Sequence, residues 1–256
     1  MAKIRVLITG ANGRMGQEVV RLVKASPDLE LAGSVDQQFV TDSTLLEFGT
    51  LADAIKMTAA DVLVDFTTPT SVKENMELAI RAGISPVVGT TGLTTAELAE
   101  LDQLAKEHGI GGIVAPNFAI GAVLMMRFAE QAAKYMPDVE IIELHHDQKL
   151  DAPSGTALKT AELIAGARAA KVQGHADEKE SISGARGAEF AGFRIHSVRL
   201  SGLVAHQEVI FGALGQTLTI RHDSINRESF MPGVYLAINK VKEFTGIYYG
   251  LEKIMD

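Results

Sequence analysis

Short, fully apolar runs alternate with stretches of helical apolar spacing over the first part of the chain. Continuous apolar runs suit a parallel sheet buried on both faces, and the stretches between them supply its crossover helices. The pattern predicts strands over 4–9, 29–36, 61–67, 86–89 and 112–115, with helices over 16–24, 71–82 and 97–108. That alternation predicts an α/β fold of βαβ units with right-handed crossovers, a doubly wound parallel sheet. After residue 118 the pattern changes. A long Met- and Ala-rich helix pattern over 119–136 leads to a strand over 139–146 and a helix from 154 to about 170. Residues 171–190 are polar and charged and read as a mobile loop. Strand-like runs follow at 193–200, 204–211 and 216–222, and a closing helix at 227–244 is interrupted near Pro232 and Gly233. The second half therefore predicts an α+β arrangement with a mixed or antiparallel sheet.

Composition narrows the class. At 256 residues with 46% hydrophobic positions, the chain can bury one large core or two ordinary ones, which excludes wholesale disorder. A net charge of −8 argues against a nucleic-acid-binding surface. The absence of cysteine excludes disulfides and thiolate metal sites and fits a reducing compartment. The first residues lack the apolar segment of a secretory signal, and no stretch approaches the ~20 apolar residues of a membrane span. The expectation is a cytoplasmic protein with no nucleic-acid or membrane partner.

Two clusters carry the chemistry. Gly10, Ala11, Asn12, Gly13, Arg14, Met15 and Gly16 follow the first strand and open the first helix. Gly10 would make the tight turn, Gly13 would let the backbone approach a pyrophosphate, and Gly16 would let helix and strand pack closely. Asp36 ends the next strand about 20 residues on, where a ribose hydroxyl would sit. By itself the pattern also suits a glycine-rich turn with a surface carboxylate; the flanking strand and helix favour the dinucleotide reading. Gln37 and Gln38 follow Asp36, with no arginine to hold a 2′-phosphate, which leans toward NADH or dual use. Arg14 offers an alternative phosphate contact. Gly89, Thr90 and Thr91, and Ala115, Pro116, Asn117 and Phe118, follow the next two strands at their carboxyl ends, where ligands collect. They equally suit ordinary strand-end turns.

The second cluster runs from Glu143 through His145, His146, Asp147, Lys149 and Asp151 to Ser154, Gly155 and Thr156. Histidines can move protons near neutral pH, a lysine can hold an anion, and a helix opening at 154–156 offers free N–H groups to a carboxylate or phosphate. On an extended strand His145 and His146 face opposite ways, and His145 shares a face with Glu143, which can orient it. That geometry separates the imidazoles and speaks against a metal site. Taken singly, each residue also suits a structural role: surface histidines, a solvated turn at 149–151, Ser154 as an N-cap. His108, His175, His196, His206 and His222 look isolated and read as packing or surface residues.

Together these motifs closely resemble the dihydrodipicolinate reductase family of lysine and diaminopimelate biosynthesis. Asp65, Phe66 and Thr67, the 89–92 and 115–118 segments, and the stretch from Ser197 and Arg199 through His206 and Phe211 to His222 also fall in order, so the likeness covers the whole chain. The resemblance implies a Rossmann-like dinucleotide-binding domain of residues 1–118 completed by 224–256. It implies that 119–223 form an α+β domain with a mixed sheet that binds substrate and builds a homotetramer. It further implies reduction of 4-hydroxy-tetrahydrodipicolinate, a small dicarboxylate, with NADH or NADPH. His145 matches the family's acid/base residue and Lys149 its proton donor, while His146, Gly155 and Thr156 match the residues holding the substrate carboxylates. Gly10 to Met15, Asp36, Gly89 to Thr91 and Ala115 to Phe118 match its cofactor positions. The chain departs from members that carry arginine after the acidic residue.

Two rivals are weighed against this. A short-chain dehydrogenase would use a Tyr-x-x-x-Lys pair, and Tyr249 and Lys253 have that spacing, but far past the mid-chain helix where it belongs. A non-catalytic nucleotide sensor would need the glycine loop but not the proton-transfer groups.

Overall fold

The computed structural model describes residues 2–37 and 46–255; Gln38 lies outside them. The chain forms two units, Met1–Ile120 with Arg227–Asp256, and Gly121–Asn226. The first unit opens on β1 (Ile4–Thr9), α1 (Arg14–Ala25), β2 (Leu29–Val35), β3 (Glu47–Phe48), α2 (Leu51–Met57) and β4 (Val62–Asp65). It continues through α3 (Val72–Arg81), β5 (Ser85–Val88), α4 (Thr95–His108) and β6 (Gly111–Val114). β4, β5 and β6 are buried at every position, as strands covered by helices on both faces must be. α1 turns Gly16, Val19 and Val23 inward as one stripe. α4 starts in a capping box, where Thr94 and Glu97 satisfy each other's backbone N–H, and ends at Gly109 with φ 67°. Leu7, Leu51, Leu63 and Ala79 centre one apolar cluster, and Met76, Ile80, Leu101 and Val114 another.

α5 (Ile120–Ala133) leads into the second unit, followed by β7 (Asp138–His145), α6 (Gly155–Ala167), β8 (Ala188–Phe190), β9 (Phe193–Arg199), β10 (Ala205–Ala213) and β11 (Gln216–Ser224). These strands form a mixed sheet in the order β11-β10-β7-β9-β8, in which β7 and β9 are parallel and the other neighbours antiparallel. β7 alternates strictly, burying Val139, Ile141 and Glu143. A carboxylate thus stands in a stripe that is otherwise apolar. The polar 171–190 segment is a loop over most of its length, but its last three residues pair as β8. It is anchored to β7: Gln173 accepts from the Val139 N–H at 2.9 Å and donates to the Val139 carbonyl at 2.8 Å, and Arg186 bonds Glu140 at 2.6 Å.

The chain returns to the first unit through a 3-10 turn (Arg227–Phe230), α7 (Met231–Lys240), a second turn (Val241–Glu243) and β12 (Gly246–Tyr249). The closing helical stretch expected over 227–244 divides between Phe230 and Met231, next to Pro232. Proline lacks an N–H, and the first helical turn is where that donor has no partner in any case, so Pro232 lies at the start of α7. With β12 in place the first sheet runs β12-β6-β5-β4-β1-β2-β3, with every neighbouring pair parallel. Strand order reverses between β1 and β4, the switch point at which doubly wound sheets bind ligands beyond their carboxyl ends.

Candidate active site

The glycine loop occupies that switch point. Gly10 turns at φ 71°, and a Cβ there would lie 2.3 Å from the Phe66 carbonyl oxygen. At Gly16 a Cβ would lie 2.0 Å from the Gly10 carbonyl oxygen, so the side-chain-free position lets α1 start against β1. Gly13 is the N-cap of α1, and Arg14 and Met15 open its first turn, Arg14 exposed. Ala11 is buried, and the Asn12 N–H donates to Asp36 Oδ2 at 2.9 Å. Gly16→Ala is expected to destabilise the first unit by about 1–3 kcal/mol through overpacking. Thermal melts check it; curves superposing on the wild type would remove the packing argument.

A groove of about 770 Å³ runs beside the loop, lined by Gly10, Gly13, Asp36, Thr50, Thr67 and Glu74 among others. Among the described residues its charged lining groups are carboxylates, Asp36 and Glu74, with neither lysine nor arginine. Gly89 to Thr91 and Ala115 to Phe118 sit beyond the ends of β5 and β6 rather than in this groove. Thr90 faces inward: it is buried, and its hydroxyl donates to Asp65 Oδ1 at 2.7 Å. Asp65 is wholly buried and also accepts from Thr9 Oγ1 at 2.9 Å, Thr67 Oγ1 at 2.8 Å and Asn75 Nδ2 at 2.8 Å. One carboxylate thereby ties together the ends of β1, β4 and β5 and the flank of α3. Asn117 Oδ1 accepts the Ala119 N–H at 2.8 Å, Pro116 is exposed, and the Phe118 ring lies 5.9 Å from that of Phe66.

In the second unit the predicted cluster assembles at the end of β7. His145 is its last strand residue and His146 already lies in the following turn, exposed. His145 Nδ1 is hydrogen-bonded to Glu143 Oε2. Glu143 is fully buried and takes two bonds from the Arg199 guanidinium at 2.8 and 2.9 Å, with the Ser154 N–H at 3.3 Å. Burial alone would raise the Glu143 carboxyl; the bonds from His145, Arg199 and Ser197 outweigh it and bring the pKa down to about 2. Lys149 Nζ is held by Asp151 Oδ1 at 2.6 Å, and the Asp151 carbonyl accepts from Arg199 at 2.7 Å. Ser154 caps α6, its hydroxyl accepting the Ala157 N–H at 3.2 Å. Gly155 and Thr156 open that helix, and nothing lies within 4 Å of where a Gly155 Cβ would be. The helix start is thus capped at Ser154 and open at Gly155, a donor array suited to a carboxylate.

Arg199 is the residue that sequence reasoning left without a role. Its partner is 56 positions away, but a signal existed. Along β9 it shares the strand face of the buried Phe193 and Ile195, beyond the exposed Ser197, so a guanidinium stands on a face that begins buried. His196 and His206 are not isolated. His196 bonds Glu140 at 2.7 Å and His206 bonds Asp223 at 2.7 Å, because the strand register sets acids beside them. Tyr249 ends β12 and Lys253 lies in a separate 3-10 turn, so no helix carries the pair a short-chain dehydrogenase needs. Among the described residues no helix is long and apolar enough to cross a membrane.

Comparison with known proteins identifies the family. Residues 4–118 match the family model for the N-terminus of dihydrodipicolinate reductase, and residues 121–255 match that for its C-terminus. A 4-hydroxy-tetrahydrodipicolinate reductase of Bacillus velezensis is 55% identical over 99% of this chain and 98% of its own length. That of Halalkalibacterium halodurans is 54% identical over 99% of this chain and 100% of its own. The structure of a dipicolinate-bound dihydrodipicolinate reductase from Paenisporosarcina sp. TG-14 superposes with a TM-score of 0.94 at 50% identity, covering 99% of this chain and 100% of that one. An inositol dehydrogenase from Lactobacillus plantarum, at 13% identity and a TM-score of 0.62, shares the fold alone. Matched along both of its segments, the chain is an oxidoreductase that belongs to the dihydrodipicolinate reductase family.

Proposed function

We propose that this chain reduces 4-hydroxy-tetrahydrodipicolinate to tetrahydrodipicolinate with NADH or NADPH, as a step of lysine and diaminopimelate biosynthesis. The observation that carries the reading is the cluster at the end of β7, where a carboxylate-oriented imidazole, an ammonium group and the N-terminus of α6 stand within one short stretch. The first unit is the dinucleotide-binding domain, with the glycine loop and Asp36 at the switch point and 89–91 and 115–118 at the neighbouring strand ends. The second unit is the substrate-binding domain.

A bound nicotinamide dinucleotide supplies the hydride. The remaining steps fall to this chain's residues. Hydride addition to the unsaturated ring leaves a carbon that must take a proton, and His145 and Lys149 are the groups placed to supply it. The two substrate carboxylates are met by the N–H groups of Gly155 and Thr156 on one side and by Lys149 and His146 on the other. The balance is one hydride and one proton taken up and one water released from the hydroxylated ring. Asp36 and the absence of lysine and arginine among the described residues of the groove lining favour NADH or dual use, with Arg14 as the remaining candidate for a 2′-phosphate. By resemblance to its family the protein assembles as a homotetramer in the cytoplasm; β11, an edge strand largely open to solvent, suits a role in assembly.

The test is a coupled assay in which the unstable substrate is generated in place by its synthase and oxidation of each nucleotide is followed separately. Substrate-dependent oxidation, with NADH used at least as well as NADPH, is expected. Folded protein that binds a nucleotide yet turns over neither would leave only the sensor reading standing.

A further inference from the structure

We infer that the buried Glu143–Arg199 pair is a positioning device for the reaction proposed above. It fixes His145 with a proton on Nδ1, leaving Nε2 as the working nitrogen, and joins that ring to the loop carrying Lys149 and to the start of α6. The inference rests on that reading of the reaction.

Three observations support it. First, Glu143 is wholly buried, and its carboxyl is held at a pKa of about 2, so near neutral pH it is ionised and accepts only. The Glu143–His145 bond therefore requires Nδ1 to be the donor, whether the ring is neutral or charged. Second, both Glu143 oxygens are shared out. Oε2 takes His145 and one Arg199 nitrogen, while Oε1 takes the other Arg199 nitrogen and the Ser154 N–H. Third, the guanidinium continues outward to the Asp151 carbonyl at 2.7 Å, and Asp151 in turn holds Lys149 at 2.6 Å. One ion pair is thus bonded to the acid/base strand, the lysine loop and the anion-binding helix terminus. Among the described residues the charged groups joined to the ring are Glu143 on its own strand, Arg199 on β9 through Glu143, and, through the Asp151 carbonyl, the Lys149–Asp151 pair in the loop. A purely structural ion pair would not need its acid bonded to the catalytic imidazole and to the α6 amide together.

The experiment compares wild type, Glu143→Gln and Arg199→Lys. Ring ¹⁵N spectra are recorded at alkaline pH, with the His145 signals identified by their loss in His145→Gln. In the wild type the ring proton is expected on Nδ1. In Glu143→Gln the proton distribution should move toward Nε2, and kcat should fall by about 100-fold, the upper end for residues that orient a reacting group through hydrogen bonds, with the NADH Kd within about twofold of wild type. Arg199→Lys keeps the charge but loses the paired bonds and should show a smaller fall in kcat with the tautomer unchanged. Wild-type protein with the proton on Nε2, or Glu143→Gln with wild-type kcat, overturns the inference. The wild-type spectrum decides the tautomer even if Glu143→Gln does not fold. Absence of turnover by the wild type would remove the proposed reaction without moving that spectrum.

Discussion

Replacement of Lys149 by alanine is expected to lower kcat by about 10²- to 10⁴-fold, the usual contribution of a positioned proton-transfer group. Lys149 Nζ is fixed by Asp151 Oδ1 at 2.6 Å, while its side chain keeps 21% of its surface exposed, so the ammonium is oriented yet reachable. In the proposed reaction it also meets a substrate carboxylate, so KM should rise as well as kcat fall. The residue lies in the second unit, and the glycine loop lies in the first. The NADH Kd, read from the fluorescence of the nucleotide, should therefore stay at its wild-type value. Steady-state kinetics in the coupled assay check this. A kcat within about threefold of wild type would exclude Lys149 as the proton donor and leave His145 alone in that role.

Replacement of Arg199 by methionine should cost about 3–5 kcal/mol of stability, the usual effect of removing one partner from a buried ion pair. The size follows from asymmetry. Glu143 has no exposed surface, and burial pushes its carboxyl toward the neutral form until the bonds from His145, Arg199 and Ser197 reverse the effect. Without the guanidinium the fold must hold a poorly compensated carboxylate or protonate it. Because the folded pKa of about 2 lies below the ordinary 4.5, the contribution of Glu143 is complete above about pH 4.5 and is lost as pH falls toward 2. The gap between wild type and variant should narrow over that window. Denaturant melts at several pH values check it. The double replacement Arg199→Met with Glu143→Leu should recover most of the loss, since an apolar pair needs no counter-charge. A single variant as stable as the wild type at pH 7 would show that solvent reaches Glu143.

The parts of this architecture that could be read from the chain are those with local signatures. β1, β4, β5 and β6 are short apolar runs flanked by turn residues, and the cluster from Glu143 to Thr156 is contiguous, so one pass along the chain finds both. β3 and α2 escaped because two and seven residues are too few to show a period. β12 escaped for another reason. Tyr248 and Tyr249 are partly exposed, so the strand lacks the apolar continuity of its neighbours, and only pairing with β6 defines it. Pro232 marks the division of the closing stretch because proline favours the first turn of a new helix. Arg199 and Asp65 show the deeper limit. Their partners come from strands and helices distant in sequence, and a buried charge signals its role only once the register that surrounds it is known.

The order in which the first sheet receives its strands has a consequence for synthesis on the ribosome. β12 pairs with β6, yet more than a hundred residues, including the whole second unit, are translated between them. A nascent chain halted anywhere in that interval already carries the glycine loop and six strands of the sheet, but the β6 edge has no neighbour. Such an edge presents unpaired N–H and C=O groups to other chains. Prematurely terminated copies would thus be the aggregation-prone products of this gene, recognisable to quality control by a missing last strand rather than by a damaged nucleotide site.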